Sequence, residues 1–302
     1  MISVPEPVGA DLLGELPPAT EVVVWDGHCA APPEADGIEM FVGPYNAPAP
    51  EADVLAGLPR LRVIQLLSAG VEPWLPVVPD GVQLCNGRGI HGASTAELAF
   101  AGMLASLRDL PAYLAAQGEH RWERRTSGGL DGRRVLVIGA GDIGGRIADA
   151  ARLFGAEVTL VGRTARDGVR ASAELPRLVP EHEVVALAVP LTADTDRLVD
   201  ARFLASMPDG ALLVNVARGS VVDTGALVAE LRTGRLRAFL DVTDPEPLPA
   251  EHSLWDVPNL LLTPHVGGGT RGWKRRAYGL AGEQFRRLVA GEPLHNRVAA
   301  GY

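Results

Sequence analysis

The chain has 302 residues, 47% of them hydrophobic, which is enough to fill two ordinary cores or one large one and excludes a disordered chain. A formal net charge of -9 argues against a protein that holds nucleic acid through bulk charge, because neutralising phosphates needs clustered Lys and Arg. Cys29 and Cys85 lie far apart with no metal-ligand spacing, and MISVPEPVGADLLGELPP lacks the basic start and unbroken apolar run of a secretory signal, so a cytoplasmic protein without disulfides or metal is expected.

Short runs rich in Val, Ile and Leu alternate with helix-period segments, the pattern of an α/β protein with mainly parallel sheets. Strands are predicted at 21–25, 38–42, 62–67 and 82–85. The gap DGHCAAPPEAD contains Pro32-Pro33 and leaves little room for a crossover helix, so this first domain reads as trimmed. A helix is predicted from Ser94 or Thr95, where Ser94 and Glu97 fit a capping box, up to Pro111. Residues 98–107 are apolar almost all round but too short to cross a bilayer, which points to burial between domains or subunits and to no membrane partner.

From Arg134 the pattern is a regular series: RVLVIGAG, a helix to Phe154, EVTLVG, EVVALAVP, GALLVNVARG, a helix at 226–233, RAFLDV and NLLLTPH. The final helix, WKRRAYGLAGEQFRRLVAG, is expected to pack back on the first domain. In this series Gly139-Ala140-Gly141-Asp142-Ile143-Gly144 stands between a strand and a helix. There the first glycine makes the turn, the second admits a pyrophosphate, and the third packs helix on strand, which predicts dinucleotide binding at a helix N-terminus. The next strand ends Val161-Gly162-Arg163-Thr164, with Arg166 beyond and no acid to hold a ribose 2′-hydroxyl. A guanidinium and a hydroxyl suit a 2′-phosphate, so NADP is favoured; if Arg163 only stacks on adenine, NAD is usable.

Three polar residues follow predicted strands: Arg218 in NVARGS, Glu246 in DVTDPEPLP and His265 in LLTPHVGG. Strand C-termini of an open α/β sheet are where ligands bind. Here the sequence resembles the D-isomer-specific 2-hydroxyacid dehydrogenases, a family that includes glyoxylate/hydroxypyruvate reductases, phosphoglycerate dehydrogenases and formate dehydrogenases. The likeness rests on the Gly loop, LAVPLTADTDRLVD, LLVNVARGSVVD, LDVTDPEPLP and TPHVGG, and covers nearly the whole chain.

The resemblance implies a Rossmann-type doubly wound parallel domain at 94–269 and a smaller flavodoxin-like α/β substrate domain made of 1–93 and 270–302. It implies Arg218, Glu246 and His265 as the catalytic set and Asp241 facing the nicotinamide carboxamide. Further cofactor contacts fall on Pro190, Thr195, Val216, Ala217, His265 and Gly267. The turn Ser68-Ala69-Gly70-Val71 is implied to offer backbone N–H groups to a substrate carboxylate, and a homodimer is expected. In such a site a guanidinium binds the carboxylate of a 2-oxo acid and polarises its carbonyl, while histidine donates the proton that the nascent alkoxide needs.

Glu246 argues against formate oxidation, which releases no proton, and formate dehydrogenases carry glutamine there. The chain's end soon after its last helix, with only Arg60, Arg62 and Arg88 as phosphate partners, argues against phosphoglycerate. Reduction of glyoxylate, hydroxypyruvate or a bulkier 2-oxo acid is the leading expectation, with pocket size set by Tyr45, Leu67, Trp74 and His91. A nicotinamide-sensing corepressor-like regulator is the alternative. Hinges are expected at 92–95 and 267–269.

Overall fold

The structure, a computed structural model, describes residues 1–298. Two compact units divide the chain, one formed by residues 1–91 with the segment from 269 onward, the other by residues 92–268.

The first unit begins with β1 (Ile2–Val4), α1 (Pro7–Leu12), β2 (Val22–Val24), β3 (Met40–Val42), α2 (Ala52–Ala56), β4 (Val63–Gln65) and β5 (Gln83–Cys85). All five strands are parallel in the order β2-β1-β3-β4-β5. Strand β1, absent from the sequence prediction, lies between β2 and β3. Three residues stopped by Pro5 are too few to show alternation, yet Ile2 and Val4 are fully buried. Between β2 and β3 there is only a 3-10 turn, Ala35–Gly37, in keeping with the Pro32-Pro33 gap.

Strand alternation divides this unit's core: Met40, Val42 and Val63 face one layer, Phe41 and Ile64 the other. Leu67 and Trp74, expected to shape a pocket, are 2% and 4% exposed and belong to these cores instead. Trp74 packs against Phe41 with ring centroids 6.2 Å apart.

The second unit opens with α3 (Gly92–Leu107) and α4 (Leu110–Gly118). Helix α3 starts before the expected capping box, leaving Ser94 buried inside its first turn. Gly92, at its start, packs closely on α5: a Cβ there would lie 1.6 Å from Asp142 Oδ2. The expected single helix to Pro111 breaks at Asp109, which is left-handed and ion-paired with Arg237, and Pro111 is tolerated in the first turn of α4.

Then follow β6 (Arg134–Ile138), α5 (Asp142–Leu153), β7 (Glu157–Gly162), β8 (Arg170–Ala171), α6 (Leu175–Leu178), β9 (Val184–Leu187), α7 (Ala201–Ser206), β10 (Leu212–Asn215), α8 (Thr224–Arg232), β11 (Arg237–Leu240) and β12 (Leu260–Leu262). The parallel order β12-β11-β10-β9-β6-β7-β8 is doubly wound, with its direction of winding reversing between β6 and β9. Strands β9 and β10 are buried on both faces, which is why they read as unbroken apolar runs. Helices α7 and α8 are capped by Asp200 and Asp223, which accept from Phe203 N and Ala226 N at 2.8 and 2.9 Å; each such cap stabilises by about 1 kcal/mol.

The chain closes with α9 (Trp273–Ala290), whose Ala277, Tyr278, Ala281 and Phe285 join the core of the first unit. Among the described residues, no helix is long and apolar enough to cross a membrane.

Candidate active site

In the second unit the C-terminal ends of β6 and β9 form the switch point. Gly139 there has φ +116°, and a Cβ on it would lie 2.2 Å from Ala188 O, so the turn requires glycine. A Cβ on Gly144 would sit 1.7 Å from Gly139 O. Above Gly141 nothing approaches within 4 Å, which leaves open space over the N-terminus of α5, beside half-buried Ile143. The residues thus fit a pyrophosphate: a cradle only glycine can make, ending on unpaired helix N–H groups. Asp142 keeps its carboxylate away from that space, with Oδ1 taking Arg146 Nε at 2.8 Å, so its contribution to the loop is its N–H.

Arg163, Thr164 and Arg166 are exposed together beyond β7. Arg166 donates to Ala140 O at 2.9 Å and so braces the glycine loop, while the backbone carbonyl of Arg163 accepts from Ser172 Oγ at 3.3 Å. Pro190 is exposed after β9, and Thr195 Oγ1 ties that loop down by donating to Pro190 O at 2.6 Å.

Arg218, Glu246 and His265 follow β10, β11 and β12. The turn after β10 is set by Asn215, 1% exposed, which the sequence reading missed although it is a polar residue ending an apolar strand. Its Nδ2 donates to Arg218 O at 2.9 Å and its Oδ1 accepts from Ala217 N at 3.0 Å. Val216 and Ala217 are buried, and Arg218 Nη1 donates to Ala217 O at 2.8 Å. A Cβ on Gly219 would lie 1.9 Å from Thr243 O, so glycine lets the Arg218 turn touch the loop that carries Glu246.

Asp241, 2% exposed, organises the turn after β12. Its Oδ1 accepts from Thr263 Oγ1 at 2.6 Å and Val266 N at 2.9 Å, and its Oδ2 from Gly267 N at 2.9 Å. His265 sits inside this turn at φ +51°, an uncommon conformation for a non-glycine residue, its N–H donating to Asp241 O at 2.7 Å. Its Nδ1 meets Glu246 Oε1 at 2.5 Å, the two side chains being 45% and 41% exposed. A carboxylate against Nδ1 calls for the tautomer with its N–H on that nitrogen.

Four other histidines have structural partners. His182 bonds Leu178 O and Thr159 Oγ1, His252 accepts from Leu254 N, His28 reaches Pro48 O, and His295 pairs with Glu283.

In the first unit, the turn Ser68-Ala69-Gly70-Val71 follows β4. Among the described residues, the N–H groups of these four positions donate no hydrogen bond. His91 Nε2 donates to Leu67 O at 2.9 Å, beside that turn. Tyr45 stacks on His91 at 5.1 Å, and both rings lie against Trp273, which the sequence reading did not single out because it stands so far along the chain.

The model of the D-isomer specific 2-hydroxyacid dehydrogenase NAD binding domain matches residues 100–267. D-3-phosphoglycerate dehydrogenase of Mycobacterium tuberculosis is 32% identical over 287 residues, covering 91% of this chain and 53% of that protein. The chain therefore spans about half the length of the phosphoglycerate dehydrogenases among its curated relatives. A D-isomer specific 2-hydroxyacid dehydrogenase from Xanthobacter autotrophicus, solved with NADPH and MES, is 32% identical with a TM-score of 0.86, covering 100% of both chains. NADPH-dependent glyoxylate/hydroxypyruvate reductase from Sinorhizobium meliloti, solved with NADP and sulfate, is 27% identical with a TM-score of 0.84, covering 100% of this chain and 99% of that one. A doubly wound sheet, a glycine loop at its switch point and a family match over more than half the residues agree, and the chain belongs to the D-isomer specific 2-hydroxyacid dehydrogenase family.

Proposed function

We propose that this protein reduces small 2-oxo acids to D-2-hydroxy acids with a nicotinamide dinucleotide, NADPH in preference to NADH. The observation that carries the reading is the His265–Glu246 pair. An ion pair this exposed contributes only about 0–1 kcal/mol to stability. Yet it is held by a left-handed residue, a buried carboxylate and three backbone or hydroxyl donors. Such expense of structure on a weakly stabilising contact supports a chemical role.

The glycine loop, Arg163, Thr164 and Arg166 would hold the dinucleotide, joined by Pro190, Thr195, Val216, Ala217, Asp241 and Gly267. When bound, its nicotinamide supplies the hydride that adds to the substrate carbonyl carbon. The Ser68–Val71 turn and Arg218 take the substrate carboxylate, and the guanidinium also polarises the carbonyl oxygen. As negative charge gathers on that oxygen, His265 Nε2 gives it a proton; Glu246 holds the ring at Nδ1 and stabilises the imidazolium from which the proton leaves. The reverse reaction uses the same groups as bases. The half-buried Tyr45, His91 and Trp273 rings offer flat apolar surface to a substrate side chain.

NADPH preference is supported by the basic, hydroxylated turn after β7 and by the NADPH and NADP in the related structures. We also place the protein in the cytoplasm, with both cysteines free, and as a homodimer. The homodimer reading is supported by Leu110, Leu114, Trp122 and Phe154, which are 47%, 67%, 91% and 50% exposed. The functional reading is tested by following NADPH consumption with glyoxylate, hydroxypyruvate, pyruvate and phenylpyruvate and resolving the product's enantiomers. Turnover to the D-hydroxy acid of at least one is expected; no consumption with any, or an L product, overturns it.

A further inference from the structure

The Ser68–Val71 turn has an asymmetry that its own four residues do not explain. Every carbonyl from Leu66 to Gly70 is taken by a donor. Gln65 Nε2 holds Leu66 O at 2.8 Å, His91 Nε2 holds Leu67 O at 2.9 Å, and Gly87 N holds Ser68 O at 2.6 Å. Asn86 Nδ2 holds Ala69 O at 3.2 Å, and Ser68 Oγ holds Gly70 O at 3.1 Å. The N–H groups of residues 68–71, by contrast, are uncommitted among the described residues. Committed carbonyls beside uncommitted N–H groups leave the backbone of this turn only donors to offer, which suits an anion.

Asn86 is the residue on which this scaffold converges. Besides holding Ala69 O it accepts from Arg88 N at 3.1 Å, and its own carbonyl accepts from Gln65 Nε2 at 3.2 Å. Residues 295–298 in turn fix Asn86. They run antiparallel along the free edge of β5, where Asn86 N donates to Asn296 O at 3.1 Å and Val298 N to Leu84 O at 2.9 Å. Asn296 Nδ2 donates to Arg88 O at 2.9 Å. Beneath them buried Gln284 bonds both ways with His295, through N–H and carbonyl, and donates to Gln65 Oε1 at 3.0 Å. The tail, two buried glutamines and Asn86 thus form one hydrogen-bonded frame behind the turn.

We propose that Asn86 is a positioning residue for the substrate carboxylate, the bracket through which segment 295–298 holds the backbone of residues 68–71 in place. This rests on the reading that the turn binds that carboxylate. Asn86 touches no reacting atom; it acts through Ala69 and the backbone it shares with Gly87. The frame is built for the anion's place and not for its chemistry, so its loss weakens binding of any 2-oxo acid alike.

The test compares the full-length wild type with Asn86→Ala and Asn296→Gly, the second keeping a residue at ease with the φ of +53° found there. Steady-state reduction of glyoxylate or pyruvate is measured beside the affinity for oxamate, an unreactive 2-oxo acid mimic, from quenching of NADPH fluorescence. Loss of one hydrogen bond that orders an anion site predicts that Asn86→Ala raises KM for the 2-oxo acid and Kd for oxamate by about tenfold. The turnover number and KM for NADPH should hold, with Asn296→Gly moving the same way by about threefold. Wild-type KM and oxamate affinity in both variants overturn the proposal, as does a parallel loss of turnover and NADPH affinity, the mark of a merely structural role. If Asn86→Ala does not fold, Asn296→Gly decides alone. A wild type that turns over 2-oxo acids while the variants bind oxamate normally removes only this inference; one that neither turns them over nor binds oxamate removes the functional reading beneath it.

Discussion

Arg163 shows how one side chain is expected to divide two cofactors that differ by a phosphate. It is exposed beyond β7, whereas nearby Arg166 already spends one N–H on Ala140 O. Losing a charge-assisted hydrogen bond to the 2′-phosphate costs about 1.5–3 kcal/mol, so Arg163→Ala should raise KM for NADPH roughly tenfold to a hundredfold and leave NADH nearly unchanged. Equal losses for both, measured by steady-state kinetics, would assign Arg163 to adenine stacking instead. At this scale the contact between Glu246 and His265 was legible in the motifs that carry them, and the structure brings the two side chains together. The sequence was silent on supporting residues: Asn215, Asn86 and Gln65 gain their function from partners up to tens of residues away, which no local pattern encodes. Leu67 and Trp74 misled for a related reason, since apolar residues beside a turn look alike whether they face a substrate or a core.

Elements were legible where a longer apolar run surrounds them, as around the three-residue strands β2 to β5. Strands β6, β7, β9, β10 and β11 carry four to six apolar or mixed residues before a turn signal, but β1 is a short run cut off by Pro5, and α3 starts two residues before its capping sequence. The packing of α9 and the β5 edge also has a measurable consequence at high pH. Burial pushes the Cys85 thiol up to about 11, against the smaller opposing effects of Arg297 and Gln284, and burial with the Glu6 carboxylate beside it raises the Tyr278 hydroxyl above its ordinary 10.0. Both groups are neutral when folded and ionise sooner when unfolded, so the unfolded chain holds fewer protons in this range. The contribution of Cys85 is complete below pH about 9 and is lost as pH rises through about 11, while that of Tyr278 starts to be lost only above its ordinary 10.0. The thermal midpoint should therefore fall across that window, and Cys85→Ala should flatten its first part and Tyr278→Phe its later part. A midpoint independent of pH up to 11 contradicts this account of the core.

At the scale of the whole molecule, apolar side chains on α4, on the segment holding Trp122 and at the end of α5 are exposed and suit a partner surface. A second copy is the expected one, and sedimentation velocity should give twice the monomer mass at micromolar concentration, shifting towards monomer in the double variant Leu114→Glu with Trp122→Glu. A monomeric wild type would leave this surface for another partner. On the proposed reading His265 donates the proton and Glu246 holds its ring. The most direct test of this reading is the turnover number of His265→Gln under saturating NADPH and 2-oxo acid, with NADPH affinity measured alongside. Loss of a general acid predicts a fall of about 10²–10⁴-fold with the cofactor still bound as in wild type. Turnover within a few fold of wild type would contradict the account, and another group would have to deliver the proton.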